Sequence, residues 1–445
     1  MKNCFVITSI LLLLAVQASA TEQLTLKEAI SLAMEKNNLV RAAGFSATAA
    51  STGIEIVKSR YYPTVSFEET FAVSNAPTQV FMMKLDQGRF AQNDFQIGNL
   101  NHPSAWHDFR STLSLQQPLY VPSLSSLKEL AVKDAEKSLL ELETTRQEVA
   151  FQVFTLYLEV QKSDARLKAA QKAIADAAEN MRLASVRTVA GVGLRSDELR
   201  ARTHQLQVEQ QIITAQNDLA LARMQLAMRI GLAEDQAFDI SLLTDSLTVP
   251  SLNEELIKGA LAGRVDMRQS RTDLEKSDAA VRLARSGYLP TVGAFASYQL
   301  NAKEAPIGAE NDAWVAGLNL KWQLFEGFRS NHERNRATAG RSAAIEILEN
   351  RSKDVRYQLK ESYMRLDETA KRLEVARHAL LGAEEAVRLI TKRFENSLAT
   401  MVELLDAQTA LNQTRANLVE TEAGYALAGG RVHYAAGIFL KEMLK

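Results

Sequence analysis

The chain has 445 residues, with 52 Lys and Arg against 53 Asp and Glu and a single cysteine, Cys4. Balanced charge offers no concentrated basic surface for nucleic acid, and a lone cysteine rules out a disulfide framework or a cysteine metal site. Beyond the first twenty residues no run of 18 or more apolar residues occurs, so no transmembrane helix is expected and any crossing of a bilayer must be made by β-strands.

Residues 1–20 read as a secretory signal. Lys2 supplies the positive start, Phe5 to Val16 the apolar stretch, and Ala18-Ser19-Ala20 the small-residue cleavage site. Cleavage after Ala20 removes Cys4 as well. Thr25-Leu26-Lys27-Glu28 then forms a capping box that opens a helix. Tyr61-Tyr62-Pro63 ends the helical stretch. In 64–74, Val65, Phe67, Phe71 and Val73 alternate with polar residues, and only Glu69 interrupts the apolar side. A second strand is predicted over 109–118, where Phe109, Leu113 and Leu115 alternate with polar residues. From Ser123 to Ala190 there is neither proline nor glycine. That is room for one helix about 100 Å long, with Leu139, Leu142, Val149, Val153, Leu156 and Val160 forming its apolar stripe. A glycine-bearing turn follows, and Ser196, Asp197 and Glu198 begin the return helix.

The same order then recurs. Ser251-Leu252-Asn253-Glu254 repeats the first capping box, and Tyr288-Leu289-Pro290-Thr291-Val292 repeats Tyr61-Tyr62-Pro63-Thr64-Val65. Strands are predicted over 291–300 and 313–323, the latter carrying Trp314, Leu318, Leu320 and Trp322 on one side. Arg187, Leu199 and Ala201 match Arg393, Leu405 and Ala407, and Gly231 matches Gly437. Residues 21–250 therefore form one helix–strand–strand–helix–helix copy and 251–445 a second, and the first has the longer loop between its strands. Strands of about 9–11 residues with this alternation suit a tilted barrel wall. A soluble half-buried sheet alternates in the same way; the signal and the long flanking helices favour the membrane. Four strands cannot enclose a lumen in lipid, because the smallest common barrels have about eight, so several chains must pool theirs.

Signal, duplicated plan, Tyr-x-Pro before a strand and glycine-bearing helical tips together resemble the TolC family of outer-membrane efflux proteins, over essentially residues 22–440. The resemblance implies a mixed α+β membrane protein: a homotrimer with a twelve-stranded transmembrane β-barrel in outer-membrane lipid and a long-helix α-barrel crossing the periplasm. It implies a passive exit duct of a tripartite efflux pump or type I secretion system, partnered by a periplasmic adaptor and an inner-membrane transporter. The loops 75–109 and 301–313 would face outside. Val192-Gly193-Leu194 is similar to the family's tip signature and implies adaptor docking, together with Ser397, Leu398, Ala399 and Thr400 at the second tip. Glu403 and Asp406 match two acids that ring the family's periplasmic entrance, and Asp197 matches an acid that helps hold it shut. Spacing i, i+3 puts Glu403 and Asp406 on one helix face, and a threefold ring of acids favours cations. A structural reading stands beside this one: Thr400-x-x-Glu403 is itself a capping box, and Asp197 lies in a first turn where the helix dipole favours acids. Two departures bear on closure. The family often has an Arg where this chain has Ala399 and a Tyr where it has Phe394, so the closing network must differ or be weaker.

No catalytic constellation accompanies these features. The six histidines form no His-x-x-x-His pair, and no Gly-x-Ser-x-Gly elbow or phosphate-binding Gly-Lys-Ser/Thr loop occurs. Met82-Met83 could suggest soft-metal contact, but loop packing is the plainer reading. No enzyme activity, cofactor or metal is therefore expected. The competing function is a soluble periplasmic coiled-coil adaptor or scaffold. Such adaptors carry one central hairpin flanked by small β domains, whereas here strand pairs lie inside two copies.

Overall fold

The computed structural model describes residues 23–233, 238–243 and 248–444; the expected signal lies outside them. In chain order the elements are β1 (Gln23–Leu24), α1 (Leu26–Lys36), α2 (Asn38–Ser59), β2 (Thr64–Ser74), α3 (Pro77–Asp86), a 3₁₀ turn (Gln92–Phe95), α4 (Ile97–Asn101), β3 (Trp106–Tyr120), α5 (Pro122–Val189) and α6 (Arg195–Ile230). There follow β4 (Asp239–Ile240), α7 (Glu254–Gly263), α8 (Val265–Ser286), β5 (Thr291–Ala302), β6 (Asn311–Lys321), α9 (Arg329–Glu395), α10 (Met401–Ala436) and α11 (Phe439–Met443). None of the described helices is long and apolar enough to cross a membrane. Two compact units interleave along the chain. One takes residues up to Arg41, Thr145–Ala260 and from Arg356 onward; the other takes Ala42–Thr144 and Leu261–Val355.

In the first unit, α1 starts where Thr25 and Glu28 cap each other: the Glu28 N–H donates to Thr25 Oγ1 at 3.2 Å and the Thr25 N–H to Glu28 Oε2 at 2.8 Å. α6 and α10 both stop at a left-handed glycine, Gly231 and Gly437. The core gathers around Phe154, Tyr157 and Phe439, all fully buried, with the rings of Phe151 and Phe154 lying 5.3 and 5.4 Å from that of Phe439. A Cβ at Gly430 would sit 2.2 Å from Phe154 Cε1, so α10 can approach α5 only without a side chain there. The buried Tyr157 hydroxyl lies 2.9 Å from the Leu24 carbonyl and 2.6 Å from that of Ser241. It thereby ties α5 to the end of β1 and to the residue that follows β4, strands that pair in parallel.

The second unit holds a four-stranded sheet in the order β2–β3–β5–β6, antiparallel throughout. Register sorts its side chains cleanly. One face carries Val65, Phe67, Phe71, Phe109, Leu113, Leu115, Tyr298, Trp314 and Leu318, with Phe67 opposite Leu113, Leu113 opposite Tyr298, and Tyr298 opposite Trp314. The other carries Thr70, Asp108, Arg110, Thr112, Gln299 and Asn301. A soluble sheet covers its apolar face. Here Trp314 is 75%, Leu318 73% and Phe67 58% exposed, and among the described residues the outer edges of β2 and β6 are unpaired. Glu69, an acid on the apolar face, accepts a hydrogen bond from the Ser111 hydroxyl opposite it. Tyr61, Tyr62, Tyr120, Tyr288 and Trp322 cluster at the strand ends from which α2, α5 and α8 depart, with the Trp322 indole N–H donating to the Tyr288 carbonyl at 3.1 Å.

Candidate functional site: the paired helical tips

At the ends of α5 and α9 the chain reverses twice in the same manner. In the first turn the N–H groups of Val192 and Gly193 donate to the Arg187 carbonyl at 3.0 and 2.9 Å. In the second the Leu398 N–H donates to the Arg393 carbonyl at 2.7 Å. The left-handed position is filled by Gly191 (φ 75°) in one and by Ser397 (φ 59°) in the other, equivalent positions in the two copies. A non-glycine residue there stores strain. Gly193 is constrained differently: a Cβ on it would stand 2.9 Å from backbone atoms of Arg187 and Thr188. Its smallness is required by the turn itself, whatever else the tip contacts.

Four helix ends meet beneath these turns. Ala184 of α5, Ala201 of α6, Phe394 of α9, and Met401 and Leu404 of α10 form one buried cluster. The alanines let the helices draw close around the Phe394 ring. Above it lies the Arg187 guanidinium, 4.8 Å from the ring centroid. Its Nη1 donates to the Phe394 carbonyl at 3.0 Å and its Nη2 to Ser397 Oγ at 2.9 Å. A side chain of the first tip thus clasps the second. The sequence leaves the closing network open at Phe394 and Ala399; Arg187, on the opposite hairpin, supplies a guanidinium to the Phe394 turn. Deeper in the unit, Asp176 of α5 accepts from Gln408 Nε2 at 3.0 Å and Arg415 Nη1 at 3.1 Å of α10.

The three candidate acids fall into distinct settings. Glu403 is turned back on its own cap, its carboxylate accepting from the Thr400 N–H at 2.7 Å and the Thr400 hydroxyl at 2.9 Å. Those two donors hold its pKa below the ordinary 4.5. Asp406 is exposed on α10. Asp197 is half-buried in the first turn of α6, where its N–H donates to the Leu194 carbonyl at 3.0 Å. The tips also present apolar side chains to solvent: Val189, Val192, Leu194 and Leu398 are 67% or more exposed. Beside Leu398 runs a groove of about 500 Å³ lined by Leu389, Ile390, Arg393 and Asn396. Val189 and Arg187 escape a sequence reading because each looks like an ordinary residue of a helix's last turn.

Residues 29–232 and 256–437 match the family model described as outer membrane efflux protein. The alkaline protease secretion protein AprF of Pseudomonas aeruginosa is 22% identical over 351 residues, 77% of this chain and 72% of that protein. The cobalt-zinc-cadmium resistance protein CzcC of Cupriavidus metallidurans is 27% identical over 307 residues, 68% of this chain and 72% of that protein. In fold the chain resembles the crystal structure of CusC, with a TM-score of 0.80 at 16% identity over 94% of this chain and 93% of that one.

Proposed function

The chain belongs to the outer membrane efflux protein family, and on that premise we propose that three copies pool their sheets into one twelve-stranded barrel, each pairing its β2 edge with the β6 edge of the next. The protein is an outer-membrane channel of the efflux and secretion type, its helices extending into the periplasm. The observation that carries the trimer is the sheet itself. An uncovered apolar face is unstable in water, and two open edges are forbidden in lipid. Closure among copies removes both edges, turns the apolar face to lipid and the polar face to a lumen. A soluble adaptor would have no use for such a face.

The paired tips are the entrance in this reading. Exposed Val192, Leu194 and Leu398, with Gly193, Ser397, Ala399 and Thr400 shaping the turns, offer an apolar rim to the helical hairpin of a periplasmic adaptor, which in turn holds an inner-membrane transporter. Arg187 keeps the two hairpins of a subunit together in the closed state. Glu403, Asp406 and Asp197, repeated by the threefold axis, give the entrance its negative charge and its preference for cations. Nothing in the sequence resembles a nucleotide site, so energy comes from the partner and the duct is passive. The decisive experiment is fractionation followed by electrophoresis and planar-bilayer recording. The reading expects release only by detergent, a heat-modifiable trimer and discrete conductance steps. A water-soluble monomer overturns it.

A further inference from the structure

The segment joining β2 to β3 has no counterpart of its length between β5 and β6, and it does not hang free. α3 lies on the polar face of the sheet: with Thr70, Ala72, Asp108 and Arg110 of that face, its Met82 and Met83 enclose a cavity of about 390 Å³. Val80 and Met83 are buried beneath it. Three polar side chains, each no more than 2% exposed, fasten its end. The Gln87 amide nitrogen donates to the His107 carbonyl and to Asp108 Oδ1, both at 2.9 Å, while its oxygen accepts from the Trp106 indole at 2.9 Å. Asn301 Nδ2 donates to the other Asp108 oxygen at 2.8 Å. Farther out, Asn311 Nδ2 donates to the Asp86 carbonyl at 3.0 Å, and Arg89 makes a two-pronged pair with Glu310 at 2.7 and 2.9 Å. Gln87, Asp108 and Asn301 each find hydrogen-bond partners there, and buried polar groups tied together in this way fix one orientation. A loop whose only task is to connect two strands needs no such anchoring.

We propose that Pro77–Asn101 is an exit lid, lying across the lumen side of the barrel's outer mouth so that three copies narrow the pore. The inference rests on the trimeric-barrel reading, which makes the polar face the lumen. The segment leaves the strands at the end opposite to α2 and α5, which is the exterior end in that reading. Met82 and Leu85 remain exposed on α3, so the narrowed exit carries apolar side chains, of the kind that constrict a pore by repelling water.

Planar-bilayer recording of two variants tests it. In the first, residues 77–101 are replaced by a short Gly-Ser turn. In the second, Gln87→Ala with Arg89→Ala unties the lid but leaves it in place. Removal of a series constriction raises single-channel conductance on the order of twofold, and untying adds brief excursions to that higher level. If both variants assemble as heat-modifiable trimers and conduct as the parent does, the lid is refuted while the channel stands. Failure of the channel reading looks different: no variant conducts, the parent included.

Discussion

Replacing Arg187 with alanine should unlatch the periplasmic entrance. The side chain makes two short hydrogen bonds from a charged donor, at 3.0 and 2.9 Å, and a longer one to the Glu395 carbonyl at 3.4 Å, and stacks 4.8 Å over Phe394. Bonds to charged groups contribute about 1.5–3 kcal/mol each when shielded, and an exposed cation–π contact about 0.5–1 kcal/mol. Arg187 is half-buried, so water screens a good part of this sum, and about 2 kcal/mol per subunit is a fair net figure. At 1.4 kcal/mol for each factor of ten, that shifts the balance between closed and open tips by about 30-fold in each subunit. Open-state occupancy in planar bilayers reads the change directly. Arg187→Lys keeps a charge but not the planar fork, so it should fall between parent and alanine variant. The trimer's melting temperature should barely move, because the cluster beneath the latch stays intact. An alanine variant that opens no more often than the parent refutes the assignment of Arg187 to closure.

Three further outcomes follow from the same geometry. Glu403→Ala with Asp406→Ala should lower the channel's preference for cations, measured as a shift of reversal potential in a salt gradient; unchanged selectivity removes both acids from the pore. Tyr157→Phe removes the hydroxyl lying between the Leu24 and Ser241 carbonyls, which keep the Ser241 N–H and the Gln161 amide as donors, and should cost about 0.5–1.5 kcal/mol, seen as a lower melting temperature of the solubilised protein. Because Glu403 has its pKa held down by the Thr400 N–H and hydroxyl, its cap is fully formed above the ordinary 4.5 and is lost as pH falls through the lowered value. Amides at the start of α10 should therefore lose protection against hydrogen exchange, measured relative to the intrinsic rate at each pH, as the solution is acidified below 4.5. Glu403→Gln should abolish that step.

Much of this architecture is written in short-range pattern. The period-two runs place β2 at Thr64–Ser74, and the gap in proline and glycine marks α5. The strand ladder departs from the alternation where other forces act. β3 begins at Trp106, because its indole and the neighbouring Asp108 are held by Gln87. β6 ends at Lys321, although the alternation continues through Trp322, whose indole turns to the Tyr288 carbonyl instead. What pattern cannot show is pairing across distance. Arg187 and Ser397 belong to separate copies, and only the folded turns bring them within a hydrogen bond. The lid is opaque for the same reason: α3 has ordinary composition, and its anchors come from β3, β5, the β5–β6 loop and the start of β6. β1 and β4 are two residues each, too short to leave any periodic trace.

The unpaired margins of the sheet also constrain how the protein can come into being. A single copy in the aqueous periplasm displays two backbone templates and a row of naked aromatic side chains, which invites indiscriminate aggregation. Completion of the sheet and meeting of the subunits must then be one event, with a yield that rises steeply with local concentration. Between export and ring closure those margins stay bare, so the interval before subunits meet is the stage at which the polypeptide is most exposed to wrong partners.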